Sequence, residues 1–145
     1  MDPRKVIVSG FVAGLVSFIA GLFLYLNPLV TAYYEDYGDW PGAKPMEFFG
    51  GMDNWLFLTG GGTVLLMIFT AMLYSYIDKA VKMKSVVKKG AFFGSLLWLS
   101  YTLPAVYHIW LMYTYPGILL LLELVLSFIG NVITGIVLAW LYERL

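Results

Sequence analysis

The sequence predicts an all-α, polytopic membrane protein: an antiparallel bundle of four transmembrane helices with both termini on the cytoplasmic side. Three observations point there. Hydrophobic residues make up 61% of the chain and charged residues 12%, whereas soluble domains carry about a quarter charged residues. The apolar residues fall into four runs, each long enough for a hydrocarbon core of about 30 Å at roughly 1.5 Å per residue. Finally, lysine and arginine gather at one end of those runs. The 145 residues read as a single membrane domain.

The first span, residues 6–26, is interrupted only by small or hydroxyl residues. Its apolar core exceeds the roughly 7–15 residues of a signal peptide and no small-x-small cleavage site follows, so it reads as a retained span. Gly10, Ala13, Gly14, Ser17 and Gly21 line one face, and small residues let backbones approach closely in lipid. The outer loop, residues 27–54, is acidic, aromatic and rich in proline and glycine. Such a segment is either a lid or binding surface, or a cap whose aromatics pack on helix ends. Its Glu35-Asp36-x-x-Asp39 cluster fits no standard calcium loop and reads as solvated charge.

The second span, residues 55–77, carries Gly60, Gly61 and Gly62, which mark a bend, a close crossing or ordinary packing. The basic loop, residues 78–89, spaces its lysines with Val81, Met83, Val86 and Val87 as an amphipathic segment lying on anionic headgroups. The third span, residues 91–113, follows Gly90 and carries Gly94 and Pro104. Pro104 is expected to kink the helix and free the Ser100 carbonyl. The tight turn Tyr115-Pro116-Gly117 then folds the fourth span, residues 118–142, back as an antiparallel neighbour.

Arg4, Lys5, Lys79, Lys82, Lys84, Lys88, Lys89 and Arg144 all lie at one end of these spans, and only Lys44 lies at the other. By the positive-inside rule the basic end is cytoplasmic. Tyr25, Tyr33, Trp40, Trp55, Tyr113 and Tyr115 flank the outer interface, and Tyr74, Tyr76, Trp140 and Tyr142 the inner one, as amphipathic rings at headgroup depth do. A weak internal echo accompanies this plan. Gly10-x-x-x-Gly14 matches Gly90-x-x-x-Gly94, and Thr59, Gly62 and Tyr74 match Ser127, Gly130 and Tyr142 at a constant offset. A duplicated hairpin would give a parallel repeat, a plan used by carriers.

His108 and Glu123 are the two strongly ionisable side chains well inside the spans. They lie nearly equally far from Pro116, so they reach similar depth, roughly 10 Å below the outer end. Glu123, Ser127, Asn131 and Thr134 share one helical face. Gly94, Trp98, Tyr101, Ala105 and His108 share another, and Thr59, Thr63, Thr70 and Tyr74 add hydroxyls from the second span. Together these residues suggest a polar cavity open to the outside. The His108–Glu123 pair admits three readings: a structural hydrogen bond between helices, a proton- or ligand-binding site with Tyr101, Ser127 and Asn131, or a metal or haem site completed by a second copy.

The absence of cysteine excludes disulfide exchange, thiolate catalysis and iron–sulfur ligation. No phosphate-binding loop, metalloprotease motif or nucleophile triad is present. No catalytic residue, resident metal, cofactor or nucleic-acid partner is therefore expected. An acid/base role for His108 and Glu123 on a lipid-soluble substrate is the enzymatic alternative.

The run Lys88-Lys89-Gly90-Ala91-Phe92-Phe93-Gly94-Ser95-Leu96-Leu97-Trp98, then Leu103-Pro104, resembles a broad group of small uncharacterised four-helix membrane proteins of prokaryotes. Asn131-Val132-Ile133-Thr134-Gly135 with Trp140-Leu141-Tyr142 is similar to the same group, and Gly21-Leu22-Phe23-Leu24-Tyr25 with Asn27-Pro28 more loosely so. The resemblance implies a fold and topology and no mechanism. Two functions stay open: a small carrier or channel, working as a homo-oligomer in the cell membrane, and a non-catalytic accessory or scaffold that binds lipid or a partner protein. Glycines 10, 14, 21, 90 and 94 are the expected helix-packing positions under either.

Overall fold

A computed structural model describes residues 2–35 and 46–145, and the described chain contains helices and no strand. Asp36, Tyr37, Asp39, Trp40 and Lys44 lie outside the described residues.

Helix α1 (Pro3–Tyr25) starts where Asp2 accepts the Arg4 amide at 3.0 Å, with Pro3 in the first turn. Its end is set by Asn27. The Asn27 Nδ2 donates to the Phe23 and Leu24 carbonyls at 3.3 and 2.7 Å, supplying the bond to Leu24 that Pro28 has no N–H to make. The Asn27 Oδ1 accepts the Leu29 and Val30 amides, both at 3.1 Å, and so caps α2 (Pro28–Glu35). The segment read as an outer loop therefore contains a helix, and a short 3₁₀ turn at Met46–Phe49.

Gly50 and Gly51, with φ of 77° and 104°, lead into α3 (Met52–Ala80) in a region that L side chains avoid. After a short extended linker, Ser85 accepts the Lys88 amide at 3.3 Å and caps α4 (Val86–Leu97). The helix widens at Trp98–Thr102, where the Leu103 amide bonds back to the Trp98 carbonyl, and continues as α5 (Leu103–Met112). Pro104 offers no N–H and its ring crowds the carbonyl four residues back, and the helix accommodates it with the π turn. Helix α6 (Gly117–Arg144) completes the chain.

Among the described residues three helices, α1, α3 and α6, are long and apolar enough to cross a membrane. Phe23, Leu29 and Phe57 are each more than three-quarters exposed, an arrangement stable where hydrocarbon is the solvent.

Helix α1 packs along α3, α4 packs along α6, and α1 also packs on α6, whereas α3 and α4 touch only slightly. Glycines set both hairpins. A Cβ on Gly10 would lie 2.6 Å from Ile68 Cα, and one on Gly14 2.7 Å from Val64 Cα. In the second hairpin a Cβ on Gly90 would lie 2.5 Å from Ile136 Cα, and one on Gly94 2.8 Å from Val132 Cα. Every residue in the first set maps onto its counterpart in the second at the offsets of the sequence echo. The two hairpins thus repeat one backbone crossing, which only glycine permits.

The buried core gathers toward the end bearing Lys89, around Val6, Ala13, Ala71, Tyr74, Phe93 and Leu138. Toward the other end the hairpins open. Gly21 meets nothing within 4 Å, Gly60 faces only the Phe18 ring, and Gly61 and Gly62 face open space. Gly21, expected as a helix-packing position, and the glycine triplet of α3 therefore make no close backbone crossing, because α1 and α3 have already diverged at this height.

Candidate functional site

The α6 stripe is the frame of the site, and its members point to different neighbours. Glu123 accepts a side-chain hydrogen bond from Tyr25 at the end of α1. The Ser127 hydroxyl donates to the Glu123 carbonyl and accepts from Trp98 Nε1 at 3.2 Å; the same indole N–H also reaches the Leu124 carbonyl at 3.0 Å. Asn131 Nδ2 donates to the Ser127 carbonyl at 2.8 Å, and the Asn131 backbone carbonyl abuts Gly94. Thr134 and Ser17 join their hydroxyls at 2.8 Å. The stripe bonds α6 to α1 on one side and to the π turn on the other. It does not form the continuous polar cavity that its periodicity suggests.

One part of the stripe does face a cavity. Glu123, Tyr101, Thr102, Ile109, Tyr115 and Leu120 line a space of about 320 Å³. The π turn presents Tyr101 and Thr102 to it, so Pro104 helps shape the wall. Burial, with the Glu123 charge as a smaller cause, pushes the Tyr115 phenol above its ordinary value. The arrangement places one carboxyl group with two tyrosines in a wall that Ala105, Val106, Ile109 and Leu120 make otherwise aliphatic, and a carboxylate with aromatic rings suits a lipophilic organic cation.

His108 stands elsewhere. It is exposed on α5 and does not line this cavity, and Tyr25 is the partner of Glu123. Val106 is the buried residue of α5 that faces α6, and a residue two positions on is turned about 200° away. Equal depth from the turn fixed the height of His108 but left its azimuth open. Among the described residues no group of three or more His, Cys, Asp or Glu gathers as a metal site.

The hydroxyls expected from the second span are also spent locally. Thr59 and Thr63 each donate to the carbonyl one turn back at 2.8 Å, and Thr70 does so at 2.9 Å. Tyr74 is fully buried, packed edge-on against Phe93 and Tyr142 at 5.1 and 5.4 Å, and its hydroxyl has no partner among the described residues.

A second feature is not evident from the sequence pattern. Lys89, read as part of a lipid-facing amphipathic segment, is only 8% exposed. Its Nζ lies 2.8 Å from Asp78 Oδ1 and 2.7 Å from Glu143 Oε1. The Ser85 cap starts α4 early enough to put Lys89 on the inward face, where the ends of α3 and α6 converge. Both carboxylates hold the ammonium above the ordinary lysine value. The clue available in the sequence was the position of Lys89 immediately before the glycine crossing at Gly90.

Comparisons with protein-family models, with curated proteins and with solved structures give no match for this chain.

Proposed function

We propose that the protein is a four-span membrane carrier, with both termini on the cytoplasmic side, that binds a small lipophilic organic cation at Glu123. The observation that carries this reading is the Glu123 carboxyl group in a largely apolar cavity of about 320 Å³ that Tyr101 and Tyr115 also line. Hydrocarbon around the site excludes water, so a carboxylate there attracts a cationic guest far more strongly than it would at a surface. Tyr101 and Tyr115 line the same cavity, and an aromatic ring adds attraction for a cationic guest. Four short helices enclose little volume, and a translocation path would run between copies of the chain in a homo-oligomer.

The topology has its own support. Residues 86–112 run without a break through α4, the π turn and α5, spanning roughly 40 Å, enough for a fourth crossing. The charges on Arg4, Lys5, Arg144 and the lysines of the 78–89 segment fall at one end. The chain lacks cysteine, so single cysteines at Ser85 and at Asp53 can be probed with a membrane-impermeant maleimide in intact cells. Labelling at position 53 and protection at 85 is the expected pattern.

The binding test is calorimetric titration of benzyltrimethylammonium into the detergent-solubilised protein. Its charge is permanent, so any pH dependence belongs to the protein. Binding is expected to strengthen as Glu123 ionises and to vanish in Glu123→Gln with the fold intact. Equal affinity in Glu123→Gln would refute the carrier site. It would leave the accessory or scaffold reading, which the interhelical use of Ser17, Trp98, Ser127 and Thr134 favours.

A further inference from the structure

We infer that the cavity between α1 and α3 holds one acyl chain of a bilayer phospholipid, at a site separate from Glu123. The two helices touch backbone to backbone at Gly10 and Gly14 and then diverge. Two turns beyond Gly14, a Cβ on Gly21 would meet nothing within 4 Å. The gap is a partly open space of about 490 Å³, bounded by Phe18, Gly21, Leu22, Trp55 and Thr59, with Thr31 of α2 at its edge.

Its hydroxyls have partners already. Ser17 bonds the Ala13 carbonyl at 2.6 Å and Thr134 at 2.8 Å. Thr59 bonds the Trp55 carbonyl at 2.8 Å, and Thr31 bonds the Asn27 carbonyl at 3.1 Å. Tyr25, also on this wall, is bonded to Glu123.

Of water, a void and hydrocarbon, the first two fail. Water would number on the order of fifteen molecules at about 30 Å³ each, a cluster for which the described walls, mostly apolar and with their hydroxyls already donating to carbonyls, offer few anchors. A void would forfeit the dispersion contacts of every side chain around it. Hydrocarbon meets neither objection, and it surrounds α1 and α3 on their exposed faces.

Among the described residues the lining carries no cationic side chain to hold a free fatty-acid carboxylate. The cavity is open and lies at the end of α1 near the interfacial Tyr25 and Trp55, so a chain can enter while its phosphate headgroup stays at the interface. The repeat adds a comparison. The α6 counterpart of Trp55 is Glu123, and the α4–π-turn counterparts of Gly21 and Leu22 are Tyr101 and Thr102. Equivalent positions of the two hairpins thus line the two cavities, and the carboxylate is present in only one. The same crossing has yielded a charged pocket in one hairpin and an apolar one in the other.

Native mass spectrometry of the detergent-purified chain, exposed to phosphatidylethanolamine, tests this assignment. Wild type is expected to keep one phospholipid per chain at collision energies that strip the others. Gly21→Leu fills the cavity and is expected to lower that occupancy at least tenfold. Gly62→Leu, whose side chain enters open space on the exposed side of α3, is expected to leave it unchanged. Leucine raises helix propensity at either glycine, and circular dichroism confirms folding. The assignment is overturned if wild type retains no phospholipid, if the retained molecule is a free fatty acid or an isoprenoid, if Gly21→Leu retains it, or if both variants lose it alike. None of these results bears on Glu123.

Discussion

Lys89 Nζ sits 2.7 Å from Glu143 Oε1, and the same ammonium reaches Asp78 at 2.8 Å, so one side chain of α4 ties the ends of α3 and α6 together. This is the place where α3 and α4, otherwise nearly out of contact, are held. Removing the lysine leaves two carboxylates facing each other. Lys89→Met is therefore expected to destabilise the protein by about 2 kcal/mol, below the usual cost of breaking a buried pair because both carboxylates are partly solvated. Thermal unfolding in detergent measures it, and Asp78→Asn combined with Lys89→Met should recover part of the loss.

The same cluster sets an alkaline limit. The Lys89 value in the folded protein is raised above the ordinary 10.5, so folding favours the protonated form. The resulting stabilisation is complete below pH 10.5 and is lost as pH rises through the higher folded-state value. Melting temperature is expected to fall more steeply above pH 10.5 in wild type than in Lys89→Met. Parallel curves for the two proteins would show that the cluster contributes nothing to the pH dependence.

Glycines of equal appearance should behave oppositely. A methyl on Gly94 runs into the Asn131 carbonyl and lies 2.8 Å from Val132 Cα, so Gly94→Ala is expected to cost about 2–3 kcal/mol by forcing the hairpin apart. Gly21 faces open space, and Gly21→Ala is expected to stabilise by about 0.5–1 kcal/mol through helix propensity. Chemical or thermal denaturation of the two variants side by side decides it.

Tyr25 and Glu123 form a bond from α1 to α6 that a double-mutant cycle can isolate. Tyr25→Phe and Glu123→Gln are each expected to lower stability, with a coupling of about 1 kcal/mol between them. Additive losses would mean that the bond makes no net contribution.

Trp98→Phe keeps a ring beside Phe128, which packs edge-on at 5.4 Å, and removes the N–H shared by Leu124 and Ser127. A loss of about 1 kcal/mol is expected. It is read from the melting curve alongside that of Ser127→Ala, which should be the smaller because the Leu124 carbonyl still holds the indole.

The sequence by itself determined the helical class, the apolar helices α1, α3 and α6, and four glycines at which helices cross, 10, 14, 90 and 94, but it did not separate Gly21, which meets no neighbour, from that set. Those properties are local: hydropathy over twenty residues, the missing N–H of Pro104, and side chains too small to keep two backbones apart. The echo between Gly10-x-x-x-Gly14 and Gly90-x-x-x-Gly94 foretold two equivalent crossings for the same reason. Partner choice was a different matter. Depth along a helix follows from counting residues, whereas azimuth depends on how neighbouring helices rotate and splay. Only the tertiary structure could turn His108 outward, give Glu123 to Tyr25 and divide the α6 stripe between α1 and the π turn. Only the convergence of three helix ends could bury Lys89, because a charge enters a core when partners from distant parts of the chain arrive there with it.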